Sequence, residues 1–159
     1  MILTKIISGG QTGADLAGLV AARNLQLQTG GMMPKGFINE AGQQPSLAEF
    51  YGMTEHLLSD KYPPRTEWNV ANSDGTLIFG DANSRGCRLT TEFALVKYKK
   101  PLFVVPWGQG MTISQSRVEA FRRWLESEKI NVLNVAGNRE SNRPGIYKAC
   151  YDFLIEALS

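Results

Sequence analysis

The stretch Ser8-Gly9-Gly10-Gln11-Thr12-Gly13-Ala14-Asp15 constrains this chain most, because glycines this closely spaced occur where a backbone must turn sharply or approach another group. Ile2 to Ile7 before it has the β-branched enrichment of a buried strand. Leu16, Leu19, Val20 and Leu25 after it recur near helical spacing. The order is strand, glycine turn, helix. In that setting the N–H groups of the turn and the positive end of the helix dipole converge on one point, where an anion can touch the backbone. Gly9, Gly10, Gln11, Thr12 and Gly13 therefore read as a phosphate-binding loop. The plainer reading is a tight corner with no ligand.

Spacing separates this loop from two well-known relatives. A Walker A loop needs Lys-Ser/Thr after its last glycine, and Gly13 is followed by Ala14-Asp15. The dinucleotide fingerprint needs Gly where Ser8 stands, and an acidic residue roughly 20 positions on for a ribose hydroxyl. Gln28-Thr29-Gly30-Gly31 and then Lys35 occupy that region, which disfavours ordinary NAD binding.

With 159 residues the chain suits a single domain, 1–159, able to bury roughly 68–70% of its unfolded surface. A formal net charge of +2 without long runs of one sign calls for neither nucleic acid nor membrane as partner. Cys87 and Cys150 match neither a metal nor a disulfide pattern and read as buried or incidental thiols. His56 is the sole histidine, so zinc triads and Ser-His-Asp machinery are excluded; neither zinc nor haem is expected. No signal-like or membrane-length apolar segment stands out, and a cytoplasmic location is expected.

Taken in order, Leu27–Met33 is a second strand, with Lys35 at its carboxyl end, either facing a ligand or solvated. A polar loop through Asn39, Glu40 and Gly42 follows. Leu47–Tyr51 reads as a helical turn and Met53–Leu58 as extended, with His56 at a plain strand position. Pro64 suits the first position of a helix and puts Arg65 in its first turn, where a cation opposes the dipole; that mismatch suggests Arg65 serves an anion. Thr76–Phe79 is a strand leading into Gly80–Gly86, whose Asp81, Ser84, Arg85 and Gly86 form a second small-residue corner. A helix is expected over Leu89–Lys99, with Thr90, Thr91 and Glu92 near its start. Glu92 is there a dipole cap, a sugar ligand or a base.

Pro101–Val105, apolar throughout, reads as a strand buried on both faces, and the Trp107 loop after it as a pocket wall. Ser114–Lys129 is an amphipathic helix with Val118, Phe121, Trp124 and Leu125 inward. Ile130–Val135 is the last strand, followed by Ala136–Ser141 with Gly137 and Arg139. Pro144 opens a terminal helix striped by Ile146, Ala149, Phe153, Leu154 and Leu158. Strands alternating with helices specify an α/β fold: a mostly parallel sheet with helices on both faces, its ligand loops at the carboxyl edge.

Three separated segments, Ile7–Asp15, Asn72–Ile78, and Asn134–Gly137 with Arg139 and Ser141, resemble the molybdenum carrier family. That family belongs to the Rossmann-like superfamily shared with the Lonely-guy phosphoribohydrolases and the Smf/DprA proteins. The resemblance implies a three-layer Rossmann-like domain that self-associates as a dimer or tetramer. It also implies a small anionic ligand at the strand ends: molybdenum cofactor as cargo, or otherwise a nucleotide or phosphate. Carried over, Gly9, Gly10, Thr12 and Gly13 match the anion loop, while Thr90, Thr91 and Glu92 stand where the phosphoribohydrolases have Thr-x-x-Glu. The Pro-Gly-Gly before that element is missing here; Ser84-Arg85-Gly86-Cys87 replaces it. Three functions follow as alternatives: a carrier, a nucleotide N-glycosidase using Glu92 or Asp81, and a nucleotide sensor without turnover.

Overall fold

The computed structural model describes residues 2–159. Its elements run β1 (Lys5–Ile7), α1 (Ala14–Asn24), β2 (Gln28–Met33), β3 (Ile38–Asn39), β4 (Gly42–Gln43), α2 (Pro45–Tyr51), β5 (Met53–Glu55) and α3 (Tyr62–Ala71). There follow β6 (Gly75–Phe79), α4 (Arg85–Glu92) continuing as one π-helical turn over Phe93–Lys97, β7 (Leu102–Val105), α5 (Gln115–Ser127), β8 (Val132–Gly137) and α6 (Ile146–Leu158). Six strands form one sheet in the order β5-β2-β1-β8-β6-β7, with every pair parallel. β3 and β4 make a separate antiparallel hairpin inside the expected polar loop.

This order fixes where a ligand can sit. From β1 the chain winds outward through β2 to β5, crosses to β6 and β7, and returns to place β8 between β1 and β6. The first and last strands are thus neighbours at the centre, registered Ile7 against Asn134. Winding reverses there, so the loops after β1, β8 and β6 border one crevice at the carboxyl edge.

Helices α1, α6 and α5 pack as one layer, and α3 lies on β2 beside α4 in the other, which makes a three-layer Rossmann-like α/β fold. Small residues bring α1 close to the sheet: Ala14, Ala17, Ala21 and Ala22 are wholly buried, and a Cβ on Gly18 would lie 2.8 Å from Val135 Cβ. Phe121 and Phe153 pack at 5.2 Å between ring centroids, and Phe153 packs on Phe79 at 5.6 Å. All five residues of β6 are buried, Thr76 among them, as befits a strand inside a parallel sheet covered on both faces.

Several local expectations are corrected. β7 is an edge strand and not buried on both faces: Leu102, Phe103 and Val104 are half-buried, with Arg117 and Trp124 of α5 covering Phe103. Trp107 is core and not a pocket wall; its ring stacks on Phe79 and its indole N–H donates to the Met111 carbonyl at 3.2 Å. His56 lies past β5, where its Nδ1 accepts the N–H groups of Leu58 and Ser59. Helix α4 starts at Arg85, four residues before the expected Leu89, because Ser84 caps it by accepting the Cys87 N–H. Thr90, Thr91 and Glu92 are therefore its last residues and not its first, which removes the dipole-cap role of Glu92.

Candidate functional site

The glycines of the β1–α1 turn are filled in by the protein's own atoms. A Cβ on Gly9 would lie 1.9 Å from Arg65 Nη1, one on Gly10 2.8 Å from the Met33 side chain, and one on Gly13 2.4 Å from the Asn138 carbonyl. Gly10 and Gly13 also hold positive φ, at 70° and 79°. Gly137, expected in the ligand loop, ends β8, where a Cβ would sit 2.1 Å from the Phe79 carbonyl. Close packing accounts for each of these missing side chains.

Four N–H groups of the turn are also engaged internally. Gln11 donates to the Asp15 carboxylate at 3.3 Å, Gly10 to Ser8 Oγ at 3.2 Å, Thr12 to Gln11 Oε1 at 3.0 Å, and Ala14 to the Asn138 carbonyl at 3.3 Å. Asp15, in the first turn of α1, stands where an external anion was expected. Asp15 is 3% exposed, and its carboxylate lies 3.4 Å from Arg65 Nη1. Burial pushes the Asp15 carboxyl up to about 6, against the Arg65 charge and the Gln11 and Gly9 N–H groups that pull it down.

That ion pair is long for a charge-assisted hydrogen bond, which runs about 2.7–2.9 Å. It leaves Arg65 donors over. Among the described residues, Arg65 Nε is buried without a partner, as is Nε2 of the buried Gln11. Arg65 projects from the first turns of α3, and its guanidinium lies 5.2 Å from the Tyr62 ring centroid. The Arg139 guanidinium, from the loop after β8, lies 5.5 Å from the same ring. Two cations are thereby gathered beside one buried carboxylate, and the Arg139 charge acts on Asp15 as well.

The β3–β4 hairpin closes over this cluster. Asn39 Nδ2 donates to the Gly10 carbonyl at 3.0 Å, and the Glu40 N–H to Gln11 Oε1 at 2.9 Å. The exposed Glu40 carboxylate accepts the hydroxyls of Thr12 and Ser141 and the Ser141 N–H. Burial acts to raise its pKa, but these bonds and the Arg139 charge hold it below the usual carboxylate range.

A second cluster adjoins the first through Asn138. Asn138 Oδ1 accepts the Asp81 N–H at 2.7 Å and its Nδ2 donates to Ser84 Oγ at 3.1 Å. This ties the loop after β8 to the corner after β6. Asp81 pairs with Arg143 at 3.0 Å; the Asn83 N–H foremost, then Arg143, hold its carboxyl below the ordinary value. Arg85 and Gly86 are exposed at the start of α4.

The remaining candidates are not gathered at this point. Lys35 is exposed and lines a concave surface of about 520 Å³ with Gly36, Ile38, Gln43, Glu55, Leu58 and Asp60. The Thr90 and Thr91 hydroxyls donate to the carbonyls of Gly86 and Cys87 within α4. Glu92 is exposed at the far end of that helix, about 10 Å along the axis from Arg85 at 1.5 Å per residue. Residues not named as individual site candidates from sequence take part here: Asp15, Glu40, Tyr62, Asn138 and Ser141. Asp15 carried a signal as an acid in the first turn after a glycine loop, and Asn138 and Ser141 lay in the expected Ala136–Ser141 loop.

The circularly permutated YpsA SLOG family, cpYpsA, matches residues 6–158. The chain belongs to this family. The central pairing of its first and last strands accords with a permuted order of βα units. The SLOG fold of this chain is also that of a crystal structure at 1.45 Å resolution, the "Putative molybdenum carrier protein" of Syntrophus aciditrophicus SB. The two are 40% identical, with a TM-score of 0.90, over 99% of this chain and 96% of the other. No curated protein matches the chain.

Proposed function

We propose that this protein is a carrier that holds a small phosphate-bearing ligand, of the molybdopterin kind, in the crevice where β1 and β8 meet. One observation carries the proposal: Arg65 and Arg139 converge on Tyr62 beside the glycine turn with a single buried carboxylate between them and unpartnered N–H donors on Arg65 and Gln11. Guanidinium groups suit phosphate through paired donors in a fixed fork. The name of the Syntrophus neighbour supports a molybdenum-related cargo. The residues present fit such a ligand at its phosphate end, through side-chain donors more than through the backbone of the turn. The molybdenum and its pterin are cargo, and the protein's part is to hold the anion and shield it.

Thermal shift with inorganic phosphate, molybdate, adenosine monophosphate and molybdenum cofactor tests this reading. A ligand at about 100 times its dissociation constant adds about 2.7 kcal/mol of stability. At least one phosphate-bearing ligand raises Tm in the wild type and fails to do so in Arg139→Gln. A melting curve unmoved by all four sinks the carrier reading. Arg139 is a better probe than Gly10, where any side chain meets Met33 and disturbs folding first.

A further inference from the structure

We infer that Thr12 and Ser141 form a seat for one tetrahedral oxyanion, and that Glu40 of the β3–β4 hairpin occupies it as a latch that the ligand must displace. The inference rests on the carrier reading and names how that site is gated.

The seat is built from donors on two loops. Thr12 Oγ1 accepts the Glu140 N–H at 3.2 Å, which leaves its own proton for the carboxylate it faces. Ser141 presents its N–H to Glu40 Oε1 at 3.3 Å and its hydroxyl to Oε2 at 2.5 Å. Two hydroxyls, a backbone N–H and the nearby Arg139 charge make a donor set that phosphate satisfies as well as carboxylate does. The Gln11 amide adjoins the seat: its Oε1 accepts the N–H groups of Thr12 and Glu40, while its buried Nε2 has no partner among the described residues. A donor left without an acceptor in the protein's own closed arrangement points to an acceptor that arrives from outside.

Charge and local stability agree with this. With Glu40 seated, Arg65 and Arg139 face Asp15 and Glu40, and the cluster is balanced. Withdrawal of Glu40 leaves one surplus positive charge, the complement of an incoming anion. The hairpin that carries Glu40 has strands of two residues each, and residues 40–43 are exposed. Its release costs few buried contacts.

Isothermal titration with inorganic phosphate, and with molybdate in parallel, tests the latch in the full chain. A latch closed about nine-tenths of the time weakens apparent affinity about tenfold. Glu40→Ala therefore binds phosphate, molybdate or both about tenfold more tightly than wild type. Glu40→Gln, which keeps an acceptor without the charge, gains less. Ser141→Ala added to Glu40→Ala removes the gain, and circular dichroism confirms that each variant is folded. Equal or weaker binding by folded Glu40→Ala overturns the latch. If Arg139→Gln weakens phosphate binding while Glu40→Ala does not strengthen it, the latch fails and the carrier reading stands. Absence of binding to every protein, Glu40→Ala included, overturns both.

Discussion

The Asp15 carboxylate and the Arg65 guanidinium meet 3.4 Å apart beneath Gly9, joining the first turn of α1 to α3 across 50 residues of sequence. The acid is buried deeply enough that its desolvation outweighs its partner's attraction. Its pKa is about 6 in the folded protein, against 3.8 for the ordinary side chain.

A raised folded-state pKa means that the native protein binds this proton more tightly than the unfolded chain does. The contribution from Asp15 is fully present below about 3.8 and is lost as pH rises through about 6. Glu40 and Asp81 act oppositely, their contribution falling away as pH drops through and below the ordinary carboxylate range. Urea unfolding of the wild type should therefore show stability rising from pH 7 to pH 5 by about 1–1.5 kcal/mol, the part of the Asp15 shift that falls between those pH values. In Asp15→Asn that rise disappears. A rise of equal size in Asp15→Asn would assign it to another group.

Removing Arg65 leaves Asp15 buried without its counter-charge, so at pH 7 the carboxyl must take up a proton. Arg65→Met should therefore cost about 1–1.5 kcal/mol more at pH 7 than at pH 5, where Asp15 is already protonated. Chemical denaturation at the two pH values measures both. A cost independent of pH would mean that Arg65 acts through packing on Tyr62 and not through its charge.

Two glycines differ sharply in what surrounds them. Gly13→Ala forces a Cβ to 2.4 Å from the Asn138 carbonyl at positive φ and should cost about 1–3 kcal/mol or more. Gly86→Ala meets nothing within 4 Å in the first turn of α4 and should stabilise by about 0.4–1 kcal/mol. Thermal melts of the pair settle it. A tolerated Gly13→Ala would show that the β1–α1 turn relaxes freely.

Asn138 bridges the loops after β8 and β6. Asn138→Ala leaves the Asp81 N–H without its acceptor and should cost about 1–3 kcal/mol. Amide hydrogen exchange at Asp81 reads the effect locally, and unchanged protection there would place the loop's support elsewhere.

The strands, their alternation with helices and the glycine turn were legible because each rests on residues within one short window. Leu77, Ile78 and Phe79 announce a buried strand by themselves. The start of α4 was missed because Gly86 reads as a breaker, while the Ser84 cap that overrides it depends on one hydrogen bond. The edge position of β7 was hidden because Leu102 to Val104 gain their cover from α5 and not from a second strand. Arg65 was singled out through its conflict with the helix dipole, although its helix starts at Tyr62 and not at the expected Pro64, which makes Arg65 the fourth residue. Its partner Asp15, and the meetings of Glu40 with Ser141 and of Asn138 with Asp81, join residues 50 to 101 positions apart and leave no periodicity to read. The glycines were legible as a turn; their reason, packing against Arg65, Met33 and Asn138, belongs to the tertiary structure.

The dissociation constant for molybdenum cofactor, measured by equilibrium dialysis for the wild type and for Arg139→Gln, tests the central claim most directly. Loss of charge-assisted bonds to a phosphate, worth about 1.5–3 kcal/mol, weakens binding roughly 10- to 150-fold. Tight binding by the wild type with a loss of that size in folded Arg139→Gln is the expected result. Equal affinity in the two proteins, or no binding by the wild type, would contradict an anion site built on Arg65, Arg139 and Tyr62.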